Sequence, residues 1–274
     1  MSRGGVAWLI VAAWLAAMGW NARREWFRPE AERLALGAAT LPPGAAYYTL
    51  DVGDRPAGML SLEIDTLPGR RGFRLLEQAA VRLPGLGGAG ETETRTETWM
   101  GPGITFDSLV RRSIRGDDTA FVRIWRRGDT LRRAGPADTT ELRVADAASV
   151  QTPISWPLRY VAAGGDAPGE VVRIAVLDPA SGGVRDFDLT TREVGTRVFA
   201  DSADTDADGR WIVAGRDTVR AWRIEQSSAG DAEPGRVADD VWVDEDGRYV
   251  EAGLAGGLRM RRTAFELAFF RETR

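Results

Sequence analysis

The sequence predicts an all-β body behind a single N-terminal transmembrane helix. The body reads as an antiparallel meander, open half-barrel or sandwich with one short helix. Three observations predict it. From Tyr47 onward apolar and polar residues alternate with a period of two. Turn-forming residues interrupt these runs at spacings of mostly 8–12 residues. An uncharged run from Gly4 to Trp20 differs in character from everything that follows.

That run, GGVAWLIVAAWLAAMGW, opens the chain, and residues 1–28 are assigned to a membrane helix with its interfacial flank. As a helix its 17 residues span about 26 Å at 1.5 Å per residue, close to the ~30 Å hydrocarbon core. Trp20 and Trp26 suit the membrane–water interface, and Arg23 and Arg24 can snorkel to head groups. Ala12, Ala13, Ala16 and Ala17 form small-xxx-small pairs that let a second helix approach, with Trp14 near mid-membrane. A cleaved signal peptide ending at Ala17-Met18-Gly19 is the rival reading.

Residues 29–45 read as a linker ended by Pro42-Pro43, and residues 46–274 as the β domain. Leu60, Leu62 and Ile64 alternate with Ser61, Glu63 and Asp65. Turns are expected at Gly53-Asp54-Arg55-Pro56, Leu67-Pro68-Gly69, Gly116-Asp117-Asp118, Gly128-Asp129 and Asp246-Gly247. The stretch Glu91–Thr98 places charges on one face and threonines on the other, and reads as a solvated edge strand. Ile154–Ala163 has helical spacing, Pro157 suits its first turn, and Gly164-Gly165 ends it. Later strands are expected at Val171–Leu177, Val184–Val198, Trp211–Ala214, Val219–Gln226, Asp240–Asp244, Tyr249–Ala252 and Leu258–Phe270.

Composition limits the chemistry. The chain has no histidine, cysteine or lysine, and all 36 basic residues are arginine. General bases near neutral pH, thiolate nucleophiles and Schiff-base lysines are therefore missing. Arginine holds its proton and can clamp but not shuttle. Ser-His-Asp, Cys-His and phosphate-loop chemistries are excluded within these residues. Arginine is interleaved with Asp and Glu at a net charge of −4, so no basic stripe for nucleic acid stands out.

Asp204, Asp206 and Asp208, followed by Gly209, match the first half of a calcium loop. The position that should carry the bidentate Glu is Gly215, and a solvated acidic hairpin competes with the metal reading. No other cofactor is expected. With 40 acids in the chain, carboxylate pairs are inevitable and identify no glycosidase. Trp99, Trp125, Trp156, Trp211, Trp222 and Trp242 suit a β core better than a carbohydrate or lipid surface.

The strings Leu177-Asp178-Pro179, Val219–Ile224, Val241–Val250 and Gly257–Thr263 follow in order, after an opening Tyr47–Gly53 with Gly58. Over about residues 46–265 this pattern resembles the β-rich region preceding the catalytic domain in bacterial membrane-anchored transglutaminase-like proteins. The resemblance implies an open, curved antiparallel sheet like those of periplasmic lipoprotein carriers, and an extracytoplasmic domain. The nucleophile, His and Asp domain of that family has no counterpart in these residues, so no catalytic residue carries over.

The expected function is a non-enzymatic accessory subunit. Its helix packs in the bacterial inner membrane, and its β domain docks on a larger respiratory, photosynthetic or secretory complex. Its partners would be other membrane protein subunits and the lipid bilayer, with no nucleic acid. A periplasmic side is expected for the body. Arginine counts oppose it, with Arg3 before the helix and Arg23, Arg24, Arg28 and Arg33 after it. The alternatives are a lipid or lipoprotein carrier and a calcium-dependent module or carboxylate hydrolase.

Overall fold

The computed structural model describes Trp14, Leu15, Met18, Leu34 and residues 41–70, 72–82, 91–136, 138–165, 167–228 and 238–270. Ala12, Ala13, Ala16, Ala17, Trp20, Arg23, Arg24 and Trp26 lie outside the described residues. Trp14, Leu15 and Met18 are helical and exposed. Among the described residues no helix is long and apolar enough to cross a membrane.

Fourteen antiparallel strands form one sheet among the described residues. The first eight are β1 (Gly44–Val52), β2 (Arg55–Thr66), β3 (Phe73–Val81), β4 (Thr92–Gly101), β5 (Thr105–Arg115), β6 (Asp118–Arg127), β7 (Thr130–Ala134) and β8 (Thr139–Arg143). Helix α1 (Trp156–Ala162) follows, then β9 (Val171–Leu177), β10 (Val184–Thr205), β11 (Trp211–Ser228), β12 (Ala238–Asp244), β13 (Tyr249–Leu254) and β14 (Leu258–Thr263). Helix α2 (Phe265–Phe269) comes last. Every strand pairs with its sequence neighbour, except that β14 pairs with β1 and the β8–β9 link is left open. Both chain halves are thus meanders joined at Tyr47↔Thr263 through Val52↔Leu258.

Register carries one apolar face across the sheet. Leu62 stands opposite Ala46 and Glu77, Glu77 opposite Thr96, Thr96 opposite Arg111, and Arg111 opposite Val122. Tyr48, Leu75, Phe106 and Leu109 on this side are completely buried. Each such side chain contributes about 1.5–3 kcal/mol when removed from water.

The 144–163 connection bridges the open link and fills the space inside. Phe106 N–H donates to Ala148, Gln151 N–H to Ala175, and Leu177 N–H to Gln151. The Gln151 side-chain amide donates to Ile104 at 2.9 Å. Trp156 packs edge-on to Tyr249 with centroids 5.9 Å apart. Tyr160 Oη donates to Thr191 Oγ1 at 3.0 Å, and Thr191 Oγ1 donates to the Gly165 carbonyl at 2.9 Å. A β-carbon at Gly165 would stand 2.5 Å from the Tyr160 ring, which fixes the glycine that ends this turn.

Three sequence expectations change. Glu91–Thr98 is not an edge: β4 lies between β3 and β5, with Thr96 and Thr98 buried on the core side. Its charges face outward in Arg95–Glu97 and Arg74–Glu97 pairs. Trp211–Ala214 and Val219–Gln226 are one strand of 18 residues, paired with the 22-residue β10 through bulges at Ala200–Ala203. Leu258–Phe270 breaks at Ala264: pairing with β1 stops at Tyr47, and the chain turns so that Phe265 and Phe269 pack on Tyr47.

Two predictions follow from the packed face. Trp156→Ala costs about 3–5 kcal/mol in urea unfolding, because nothing else can fill the space it leaves; a loss under about 1 kcal/mol would show that the connection does not seal the core. The second concerns Glu77. Burial raises its carboxyl pKa above the ordinary value, with Arg111 pulling the other way. The folded state then holds this proton to higher pH than the unfolded chain, so the residue's contribution to stability falls as pH rises through that window. Glu77→Gln should raise stability at pH 7 and leave it nearly unchanged at pH 4, in paired denaturation curves. A variant that is weaker than wild type at pH 7 contradicts this.

Candidate functional site

The strands β10 and β11 run well past their neighbours as a two-stranded arm. Their inner halves pair with β9 and β12, and their outer halves pair only with each other. The arm folds over the face of the sheet opposite the main core. It is held by a second, smaller cluster of Phe199, Val219, Ala221, Trp242 and Val250. The Arg197 guanidinium lies 3.3 Å from the centroid of the Trp242 ring.

Arg262 fastens the arm from below. Its Nη1 donates to Asp244 Oδ2 at 2.7 Å, and its guanidinium carbon lies 4.2 Å from the Phe199 ring centroid. The pair is largely buried, with side-chain exposures of 15 and 4 %. Burial pushes the Asp244 carboxyl pKa upward, opposed by the Arg248 N–H and by Arg262. Two charges removed from water stay favourable only while both remain, because either one alone is uncompensated.

Between the arm, β1, β14 and α2 lies a groove of about 660 Å³. One wall is Thr49 and Asp51 of β1 with Arg261 of β14; the other is Val198, Phe199, Trp211 and Val213 of the arm, and Leu267 and Phe270 close one end. Asp51 is buried and accepts from Arg261 Nη2 at 2.9 Å, with the guanidinium half-exposed at the mouth. Val198 is 58 % exposed and Phe270 55 %. The groove therefore sets an apolar wall from the arm opposite a polar wall from β1 and β14, with Arg210 and Arg261 among its lining.

The structure locates the acidic motif at the arm's tip. Asp206 Oδ1 accepts the N–H groups of Asp208 and Arg210, at 2.9 and 2.8 Å. Asp204 Oδ1 accepts from Thr205 N–H, and the Asp208 carboxylate lies 3.7 Å from Arg210 Nη2. Among the described residues no three acids gather as a metal-holding group. A second loop explains the pattern. Asp244-Glu245-Asp246-Gly247-Arg248 repeats the Asp-x-Asp-Gly-Arg order of residues 206–210. Asp244 Oδ1 accepts from Asp246 and Arg248 in the same way, and Gly247 and Gly209 both take positive φ. In both loops the leading Asp closes a hairpin turn.

None of the groove residues except Trp211 was singled out by the sequence. Trp156, Trp222 and Trp242 are core residues, whereas Trp211 is 37 % exposed. The missed signal was the pair Val198-Phe199 and the uninterrupted apolar run Trp211-Ile212-Val213-Ala214, which exceed what a solvated hairpin requires.

Among the described residues the chain is all-β, one open antiparallel sheet with a groove on its outer face. No family model matches the chain, and no curated protein does. A beta-barrel-like protein of the domain of unknown function DUF1849 from Brucella abortus is similar at 12% identity, over 81% of this chain and 95% of that one, with a TM-score of 0.49. A DUF1089 family protein from Pseudomonas aeruginosa is similar at 10% identity, over 78% of this chain and 91% of that one, with a TM-score of 0.39.

Asp206→Ala should lower thermal stability by the equivalent of about 0.5–1.5 kcal/mol, equally with and without millimolar calcium. A loss that appears only when calcium is present would restore the metal reading.

Proposed function

We propose that this chain is a non-enzymatic, membrane-anchored accessory subunit that docks on a larger membrane protein complex through the arm groove. The observation that carries the reading is a groove open to solvent whose arm side exposes Val198, Trp211 and Val213 opposite Arg261. Arginine with aromatic side chains is also the composition enriched at protein interfaces. The lack of His, Cys and Lys supports binding over turnover. The uncharged run at Gly4–Trp20 is the proposed anchor, and the bacterial inner membrane with a periplasmic body is the proposed setting.

The groove's volume favours a second reading, a module that carries a lipid or the acyl part of a lipoprotein. Cavities of about 300–1,000 Å³ suit small ligands. The main core side is occupied by the protein's own side chains, so such a ligand would lie in the groove and not inside the sheet.

Val198→Glu puts a charge on the apolar wall of the groove at a site that is already exposed, so the fold should survive. Purified in mild detergent at native expression, the wild-type chain should bring a larger membrane protein with it, and Val198→Glu should lose most of it. Phe121→Glu, a 50 % exposed control on β6, should behave as wild type. Recovery of wild type as a lone monomer carrying lipid that Val198→Glu loses would favour the carrier. Equal partner recovery by both variants would remove the groove from the docking account.

A further inference from the structure

Three parts of the chain meet at one end of the sheet. β1 begins there, with Gly44 following directly from the N-terminal segment. β14 ends there, Thr263 standing opposite Tyr47. The arm's tip arrives with Trp211. Helix α2 fills the corner between them. Phe265 and Phe269 pack edge-on to Tyr47 with centroids 5.1 and 5.9 Å apart. The Trp211 ring stacks on Phe270 at 6.0 Å and 25°.

This packing leaves much of the cluster in water. Phe265 is 39 % exposed, Phe270 55 %, Trp211 37 % and Ile212 47 %. They form a rim beside the groove's mouth. Burying them would be favourable, because about 25 cal/mol is recovered per Å² of apolar surface removed from water. Trp and Phe next to Arg210 make the residue set that settles at a membrane–water interface: rings below the head groups, guanidinium among the phosphates.

Continuity of the chain identifies what covers the rim. The linker of residues 29–45 joins the expected membrane helix and flank of residues 1–28 to the same end of the sheet where the rim lies. A bilayer that takes up that helix is held within reach of the rim by a short linker. Such tethering supplies an effective concentration of the order of millimolar, so even weak insertion is populated. We infer that the rim of Trp211, Ile212, Phe265 and Phe270 seats in the interface of the lipid bilayer and holds the groove's mouth at the membrane surface. The inference rests on the membrane-anchored reading above and adds a second, peripheral membrane contact to it.

The chain contains no cysteine, so single cysteines report one site each. Four full-length variants are needed: Trp14→Cys, Phe265→Cys, Phe270→Cys and Phe121→Cys. Each is labelled with a polarity-sensitive fluorophore and reconstituted into phosphatidylcholine–phosphatidylglycerol vesicles carrying head-group-attached quenchers. Labels at positions 265 and 270 should be quenched severalfold more than the label at 121. The label at 14 tests the anchor separately. Quenching at 14 with none at 265 and 270 beyond that at 121 overturns the rim inference and leaves the anchor standing. Quenching at 265 and 270 without quenching at 14 keeps the rim and removes the anchor. Absence of quenching at all four positions overturns both. Labels at 265 and 270 that are shielded in native membranes but unquenched in the vesicles would assign the rim to a protein partner and overturn the lipid assignment.

Discussion

The pairing of β1 with β14 is the constraint from which the rest of the structure follows. Without it the chain would be two separate meanders, each with an extra open edge. With it, the first and last strands become central, and among the described residues the sheet ends at β8 and at β9, the latter bridged by Gln151 of the connection. The connection between those edges then has to cross the open side, where it also fills the core with Ile154, Trp156, Leu158 and Tyr160. Central placement of β1 and β14 also exposes a broad outer face at Tyr47, Thr49, Asp51 and Arg261. The arm and α2 partly cover that face and leave the groove.

The two faces of the sheet are therefore built for different ends. The core face is filled with its own side chains, down to a Glu77 carboxyl whose ionisation the interior opposes. The outer face is covered incompletely, by an arm held through one largely buried ion pair and a few ring contacts. That ion pair and those ring contacts fix the arm against the sheet and so set the groove's outer wall. Around the groove the ionisable groups are arginine and aspartate: they can orient a charged or amphiphilic partner, and arginine cannot exchange protons with it.

Much of the fold was legible in the sequence because strands and turns are local. The strand Val171–Leu177 was read at its true limits, and the helix at Ile154–Ala163 lies within two residues of α1. What the sequence hid was set by pairing partners. Glu91–Thr98 looks like an edge because polar residues occupy both faces, yet its threonines face a core that begins at other strands. Leu258–Phe270 looks like one strand because nothing local marks Ala264; the break comes from where β1 begins. The groove was the least legible part. Its walls come from Asp51, Val198, Trp211, Arg261 and Phe270, which are brought together only by the β1–β14 closure and the fold-over of the arm. The acidic motif kept two readings: Asp204, Asp206 and Asp208 match half a calcium loop, and the Asp-x-Asp-Gly-Arg order shared by 206–210 and 244–248 is that of a hairpin turn closed by its leading Asp.

The central claim is that the arm is fixed against the outer face, so that the groove is a standing feature of the molecule. The most direct measurement is the distance distribution between spin labels at Asp208→Cys on the arm's tip and Asp54→Cys in the β1–β2 turn. Both positions are exposed and the chain has no other cysteine. The account predicts one narrow distance that broadens when Arg262→Met is added. A distribution already broad in the otherwise native chain would contradict it, because the groove would then have only one wall.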